Sequence, residues 1–274
     1  MRAIAHRLLF CSLSVWVCPA HAQAPREVHL RHRVSASWGY NRAQFSVSNI
    51  HFDGPGYDFI LHDVAAKDAP KLFSFGVYFD PRDLSLPQYN YGAGWFLNDH
   101  WSFSLRMDHM KYVMVQDQTV RLTGSISADR SQNYAGSEEH AVTLTEDFLQ
   151  YEHTDGLNLV SADVDHYDRL WHSPSGRHAV FLTEGAFGGP VIPRTDVRLF
   201  GEGINNAFHL AGYGAGAQLG VFAVFWDRLF LRAAAKGGYI ELPDVLTTGT
   251  EEDRARQRFW FVEEYVVFGV LVGK

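Results

Sequence analysis

Period-two alternation of apolar and polar positions dominates the chain. Trp101, Phe103, Leu105 and Met107 alternate with Ser102, Ser104, Arg106 and Asp108. Upstream, Tyr89, Tyr91, Ala93, Trp95 and Leu97 alternate with Gln88, Asn90, Gly92, Gly94 and Phe96. Successive side chains of a strand point to opposite faces, so both stretches are predicted as strands. Asn98-Asp99-His100 between them has the composition of a tight hairpin turn. A second hairpin is expected over 208–225 and 229–240, joined at Trp226-Asp227-Arg228. A third is expected over 144–153 and 157–167, joined near Thr154-Asp155-Gly156. No long segment carries a 3.6-residue period. After residue 22 no run of 18 apolar residues occurs, which excludes transmembrane helices but not transmembrane strands.

One face of these strands carries large aromatic and aliphatic groups; the other carries glycine, serine, asparagine and isolated charges. A soluble sandwich with a wet outer face shares that alternation. Rows of rings at strand ends (Tyr89, Tyr91, Trp95, Trp101, and Phe259 to Phe261) favour a membrane barrel, whose amphipathic rings sit at the two interfaces. The segment 259–272 is strand-like and suited to closing a barrel, although it ends Val272-Gly273-Lys274 without a terminal aromatic. Candidate strands fall near 28–40, 57–66, 72–80, 88–97, 101–114, 119–126, 144–153, 157–167, 178–187, 208–225, 229–240 and 259–272. The expected fold is therefore all-β, a transmembrane antiparallel β-barrel of ten to twelve strands. Twelve strands would place 190–206 and 241–257 outside as long loops. They would also place 127–143 on the periplasmic side, where turns should be short.

The first 22 residues stand apart. Arg2 and Arg7, the apolar run Leu8 to Val17, and Ala20-His21-Ala22 have the layout of a secretory signal peptide, leaving 23–274 as the barrel domain. Cys11 and Cys18 both lie inside it, and Val17 before Cys18 does not suit a lipoprotein signal. An exported domain without disulfides must be held by a large core or by closure of a sheet in a membrane. Of the whole chain's 274 residues, 46% are hydrophobic and 14% aromatic, far too apolar for disorder. Loss of Arg2 and Arg7 takes the net charge from −7 to −9, which argues against nucleic acid as a partner.

Four phrases carry a resemblance: Gly54-Pro55-Gly56-Tyr57-Asp58-Phe59, Met107-Asp108-His109-Met110-Lys111-Tyr112-Val113, Glu152-His153-Thr154-Asp155-Gly156-Leu157-Asn158 and Gly237-Gly238-Tyr239-Ile240. With them, 45–272 resembles a family of uncharacterised bacterial outer-membrane β-barrel proteins. The resemblance implies location and architecture but no activity, and no catalytic residue comes with it.

Three polar clusters could carry chemistry. His153 with Gly156 is similar in outline to the H-x-S-N-G pattern of membrane-embedded lipid hydrolases, where histidine activates serine. Asp155 stands at the nucleophile position, and Thr154 would point to the opposite face, so an Asp-Gly turn is the plainer reading. His153 is the one catalytic candidate, with Glu152 and Asp155 beside it and Ser161 as the nearest hydroxyl by strand parity. Asp163 and Asp165 share a face, as a hard cation needs, but His166 points the other way and no further ligand is evident, so no metal is assigned. The third set can face the lumen: Arg106, Asp108, Glu146, Gln150, Glu152, Asp163, Asp165, Arg232 and Lys236. Paired, these charges would plug a small barrel, since an unpaired charge in a narrow lumen is expensive. No phosphate-cradling glycine loop, CxxC or HExxH occurs, and no cofactor is expected.

Three function classes follow. The first is a structural or surface-interaction barrel, whose partners are outer-membrane lipid, lipopolysaccharide or a protein met by the outer loops. The second is an enzyme hydrolysing lipid or lipid A acyl esters, built around His153. The third is a narrow channel for small solutes.

Overall fold

A computed structural model describes residues 27–78, 80, 82, 87–203, 207–250 and 252–273. The expected signal peptide, 1–22, lies outside them. The strands are β1 (Val34–Phe45), β2 (Ser48–Gly54), β3 (Tyr57–Val64), β4 (Ala66–Asp68), β5 (Tyr89–Phe96), β6 (Trp101–Met114), β7 (Thr119–Ile126), β8 (His140–Thr143), β9 (Leu149–His172), β10 (Ala179–Val191), β11 (Asp196–Leu199), β12 (Gly212–Phe225), β13 (Leu229–Leu246) and β14 (Arg254–Val272), with a single helical turn α1 (Phe75–Tyr78).

Eight strands close on themselves in the order β1-β5-β6-β9-β10-β12-β13-β14, and β14 returns to β1. Every pairing in the ring is antiparallel. Following register partners from Val34 leads through Trp95, Phe103, Val164, Ala186, Ala217, Gly237 and Val262 to Gln44, so one circuit advances β1 from position 34 to position 44. For eight strands at ordinary spacing, that stagger requires a tilt of about 41° and a radius of roughly 8 Å. Such a lumen is filled by side chains and leaves no wide pore.

The expected count of ten to twelve strands is corrected to a ring of eight. The hairpin expected at Thr154-Asp155-Gly156 does not exist: β9 runs unbroken from Leu149 to His172. Between the pairs Met110↔Leu157 and Tyr112↔His153 the register shifts, and Thr154 to Gly156 form a bulge opposite Lys111. Gly156 sits at φ +124, a conformation that glycine adopts freely, so an Asp-Gly pair here marks a bulge rather than a reversal. Segments 57–66 and 119–126 do form strands, but outside the ring. Within 72–80, Phe75–Tyr78 is helical. The hairpins at Asn98–His100 and Trp226–Arg228 are as expected.

The ring is longer than a membrane band on one side. Beyond it, Arg254–Gln257 of β14 pair with Ile50–Asp53 of β2, and the sheet continues through β3, β7 and β8. β11 adds to the first residues of β9, and β4 to the last residues of β6. These elements enclose a core of Phe52, Phe59, Tyr112, Phe148, Tyr151 and Leu242, all buried, which forms a dome over the end of the barrel opposite the termini. The segment 127–143 belongs to this dome, and the topological conflict it posed disappears because β7 is not a ring strand. Within the segments 190–206 and 241–257, expected as loops, Asp196–Leu199 form β11, and β13 and β14 extend into the second segment. At the opposite end, Phe96, Tyr167, Phe181, Phe222 and Phe230 fill the lumen.

The outer face of the ring is mostly apolar, interrupted by Glu264 on β14 and by His166, Asp168 and Glu184 towards the terminal end. On β14, buried and exposed positions alternate almost throughout, with Trp260, Val262, Val266, Phe268, Val270 and Val272 exposed. From Val272 up to Trp260 this row spans about 30 Å along the barrel axis. Trp95 and Trp101 lie exposed near the terminal end, and Tyr213 and Trp260 near the dome.

Candidate functional site

Strand parity determines which charges meet. Trp101, Phe103 and Leu105 point outward on β6, so Ser102, Ser104, Arg106 and Asp108 point inward. The same rule sends Asp163 and Asp165 of β9, Gln218 of β12, and Arg232 and Lys236 of β13 into the lumen. There they form one layer between the lower aromatic plug and the dome core. Arg232 donates to both oxygens of Asp165, at 2.8 and 2.9 Å. Arg106 reaches Asp163 and Asp165, each at 3.3 Å. Lys236 meets Asp108 at 2.6 Å and Asp163 at 3.4 Å. Gln218 donates to Asp163 at 2.9 Å and Asp165 at 2.8 Å, and accepts from the Tyr265 hydroxyl at 3.0 Å. Ser161 donates to Asp163 at 2.5 Å.

The structure thus brings together Arg106, Asp108, Asp163, Asp165, Arg232 and Lys236. Glu146 and Glu152 are elsewhere. Glu146 is exposed in the turn before β9, where strand parity has no meaning. Glu152 is half-buried in the dome, opposite Val113 and Asp196, and burial raises its pKa. One acid escaped the sequence reading: Glu263 is fully buried in the same layer, where Asn90 donates to it at 2.7 Å and to Asp108 at 2.6 Å. Outward Trp260 and Val262 already make Glu263 inward by parity; its neighbour Glu264, on the lipid-type face, masked that signal.

The layer is tightly filled. A void of about 10 Å³ beside Ser35, Ser37, Ser104, Arg106 and Arg232 has room for roughly one water. Paired charges at these distances hold strands β6, β9 and β13 together, and they offer no nucleophile with a free approach.

His153 is not placed for lipid chemistry. Its ring is fully buried in the dome between Tyr112 and Tyr151, and its Nδ1 lies 2.9 Å from the Thr195 hydroxyl. Burial pushes its pKa down to about 3. Asp155 points away and is 3.6 Å from Arg194, and Ser161 lies in the charge layer. His153, Asp155 and Ser161 therefore do not meet.

The ring, its filled lumen and its apolar outer face define a small closed antiparallel β-barrel with a domed end. No protein-family model matches the chain, and no curated protein does. Among solved structures, the chain is similar to the outer membrane protein OprG from Pseudomonas aeruginosa, with 8% identity and a TM-score of 0.43 over 91% of this chain and 100% of that one. It is similar to Ail, the attachment invasion locus protein of Yersinia pestis, with 11% identity and a TM-score of 0.27 over 86% of this chain and 99% of Ail. A third likeness is the outer membrane protease OmpT from Escherichia coli, with 7% identity and a TM-score of 0.25 over 89% of this chain and 98% of OmpT. At these scores the barrel assignment rests on the chain's own ring of strands.

Proposed function

We propose that the chain is an outer-membrane β-barrel, inserted with its termini towards the periplasm, whose dome is a surface-interaction module. The observation that carries this reading is the division of the molecule: a band of exposed apolar side chains around a lumen closed by ion pairs, and above it a separately cored dome. The short turns at the terminal end and the long excursions at the other fit the usual insertion of exported barrels. Above Trp260, Arg256 and Arg258 continue the outward row of β14, and Arg256 lies 3.3 Å from Asp53. Cations just beyond an aromatic girdle suit the phosphates of lipopolysaccharide. A pore is disfavoured by the filled charge layer, and a lipid hydrolase by the burial of His153.

Labelling on intact cells tests the insertion. The two native cysteines both lie within the expected signal peptide, so an introduced cysteine is read alone. Ser137→Cys, exposed in the dome, should react with a membrane-impermeant maleimide on whole cells, whereas Ser175→Cys, in the turn between β9 and β10, should react only after permeabilisation. The reverse pattern would overturn the orientation. Co-purification of lipopolysaccharide should fall for Arg256→Glu with Arg258→Glu; unchanged retention would remove these arginines as its contacts.

A further inference from the structure

We propose that the rim at the terminal end of the barrel carries a site for a divalent transition metal ion, built from His100, His166 and Asp168, with Glu184 beside His166. His166 lies on β9 with register partners Trp101 on β6 and Glu184 on β10. Asp168 follows two residues later on the same outward face, and His100 ends the turn that leads into β6. Ligand atoms of His100, His166 and Asp168 all lie within 4.8 Å of one another.

Two details point to a metal rather than to an ordinary ion pair. The first is the state of His166. Its Nδ1 is buried and makes no hydrogen bond, although Asp168 Oδ2 stands 3.5 Å away and Glu184 Oε1 3.6 Å away. Those gaps are long for hydrogen bonds. They are close to the separation between neighbouring ligands of a tetrahedral zinc, roughly 3.3–3.5 Å for metal–ligand bonds of about 2.0–2.1 Å. The second is the orientation of His100. Its Nδ1 lies 3.1 Å from the Tyr167 carbonyl oxygen, so Nδ1–H donates there and the Nε2 lone pair is left free. A backbone carbonyl on one ring nitrogen is the usual way a metal-binding histidine is held in the correct tautomer.

Two imidazoles with carboxylates select zinc and its neighbours over calcium or magnesium, which take oxygen ligands. His100 and Asp168 are exposed, so an ion can enter from the aqueous side. Once bound, it would tie the turn after β5 to β9 and β10.

The test uses the untagged mature chain, folded in detergent and freed of metal with a chelator. Calorimetric titration with zinc should show one ion per chain, and cobalt should give the visible absorption of a tetrahedral centre, while calcium gives no heat. His166→Ala and His100→Ala should each weaken zinc binding about tenfold or more. His29→Ala should not; His29 is on the same rim but paired with Asp99 at 3.2 Å. Absence of stoichiometric zinc binding in the wild-type chain would overturn the proposal, as would undiminished affinity in His166→Ala or an equal loss in His29→Ala.

Discussion

Arg232 is the hub of the charge layer, and its removal has a size that can be worked out. The side chain is 1% exposed and holds both oxygens of Asp165. Breaking one partner out of a buried ion pair costs about 3–5 kcal/mol, because the other charge remains in a dry site. Asp165 would keep Gln218 at 2.8 Å and Arg106 at 3.3 Å, which places Arg232→Ala near the lower end, about 3 kcal/mol. With a urea dependence of about 3 kcal/mol per M, the unfolding midpoint should fall by about 1 M. The assay is equilibrium unfolding in lipid vesicles, followed by tryptophan fluorescence and by the heat-dependent shift of the folded band on gels. Replacing both partners, Arg232→Met with Asp165→Leu, removes the stranded charge and should recover most of the loss. A midpoint for Arg232→Ala equal to wild type would refute the buried pairing, and with it the inward register of β13.

Three further outcomes are expected. Gly39→Val should destabilise the barrel by about 3 kcal/mol, since a Cβ at Gly39 would stand 2.0 Å from the Val266 carbonyl oxygen where β1 closes on β14; thermal melting of the folded band checks it. His153 has a folded pKa near 3 against about 6.5 when unfolded, so the unfolded chain binds the extra proton between those values. Its contribution is complete above about pH 6.5 and is lost as pH falls towards 3, by up to roughly 4–5 kcal/mol; His153→Leu should flatten that part of the stability–pH curve. In planar bilayers the wild-type chain should show no steady conductance, and neither should Lys236→Ala with Asp108→Ala, because the aromatic plug below the charge layer and the dome core above it still close the lumen; steady current through the double variant would refute that closure.

The local alternation was legible, and with it the class of fold and the two tight hairpins. The number of ring strands was not. A bulge at Thr154–Gly156 and a hairpin turn use the same residue types, and only the pairing of β9 with β6 and β10 distinguishes them. The dome strands β2, β3 and β7 have the same period as ring strands, so periodicity cannot say which sheet they join. Parity applies to Arg106, Asp108, Asp163, Asp165, Arg232 and Lys236 because each lies within a regular strand. It has no meaning at Glu146, which lies beyond a strand end, and at Glu263 the outward Glu264 beside it obscures the pattern. His153 stands out in the sequence because its neighbours are acidic; the aromatic packing that buries it comes from β6 and from residues close by on β9 itself.

The central claim is that β14 crosses the membrane with one face to lipid and one to a filled lumen, then continues into the dome. Single cysteines along it, each carrying a small fluorophore, can be read in vesicles of lipid brominated on its acyl chains and again with an aqueous quencher. Bromine should quench strongly at 262, 266 and 270, and weakly at 261, 265 and 267. Beyond Trp260, at 258 and 256, bromine quenching should give way to aqueous quenching. Equal bromine quenching on both parities, or aqueous access along the whole of 262–270, would contradict a closed barrel spanning the membrane.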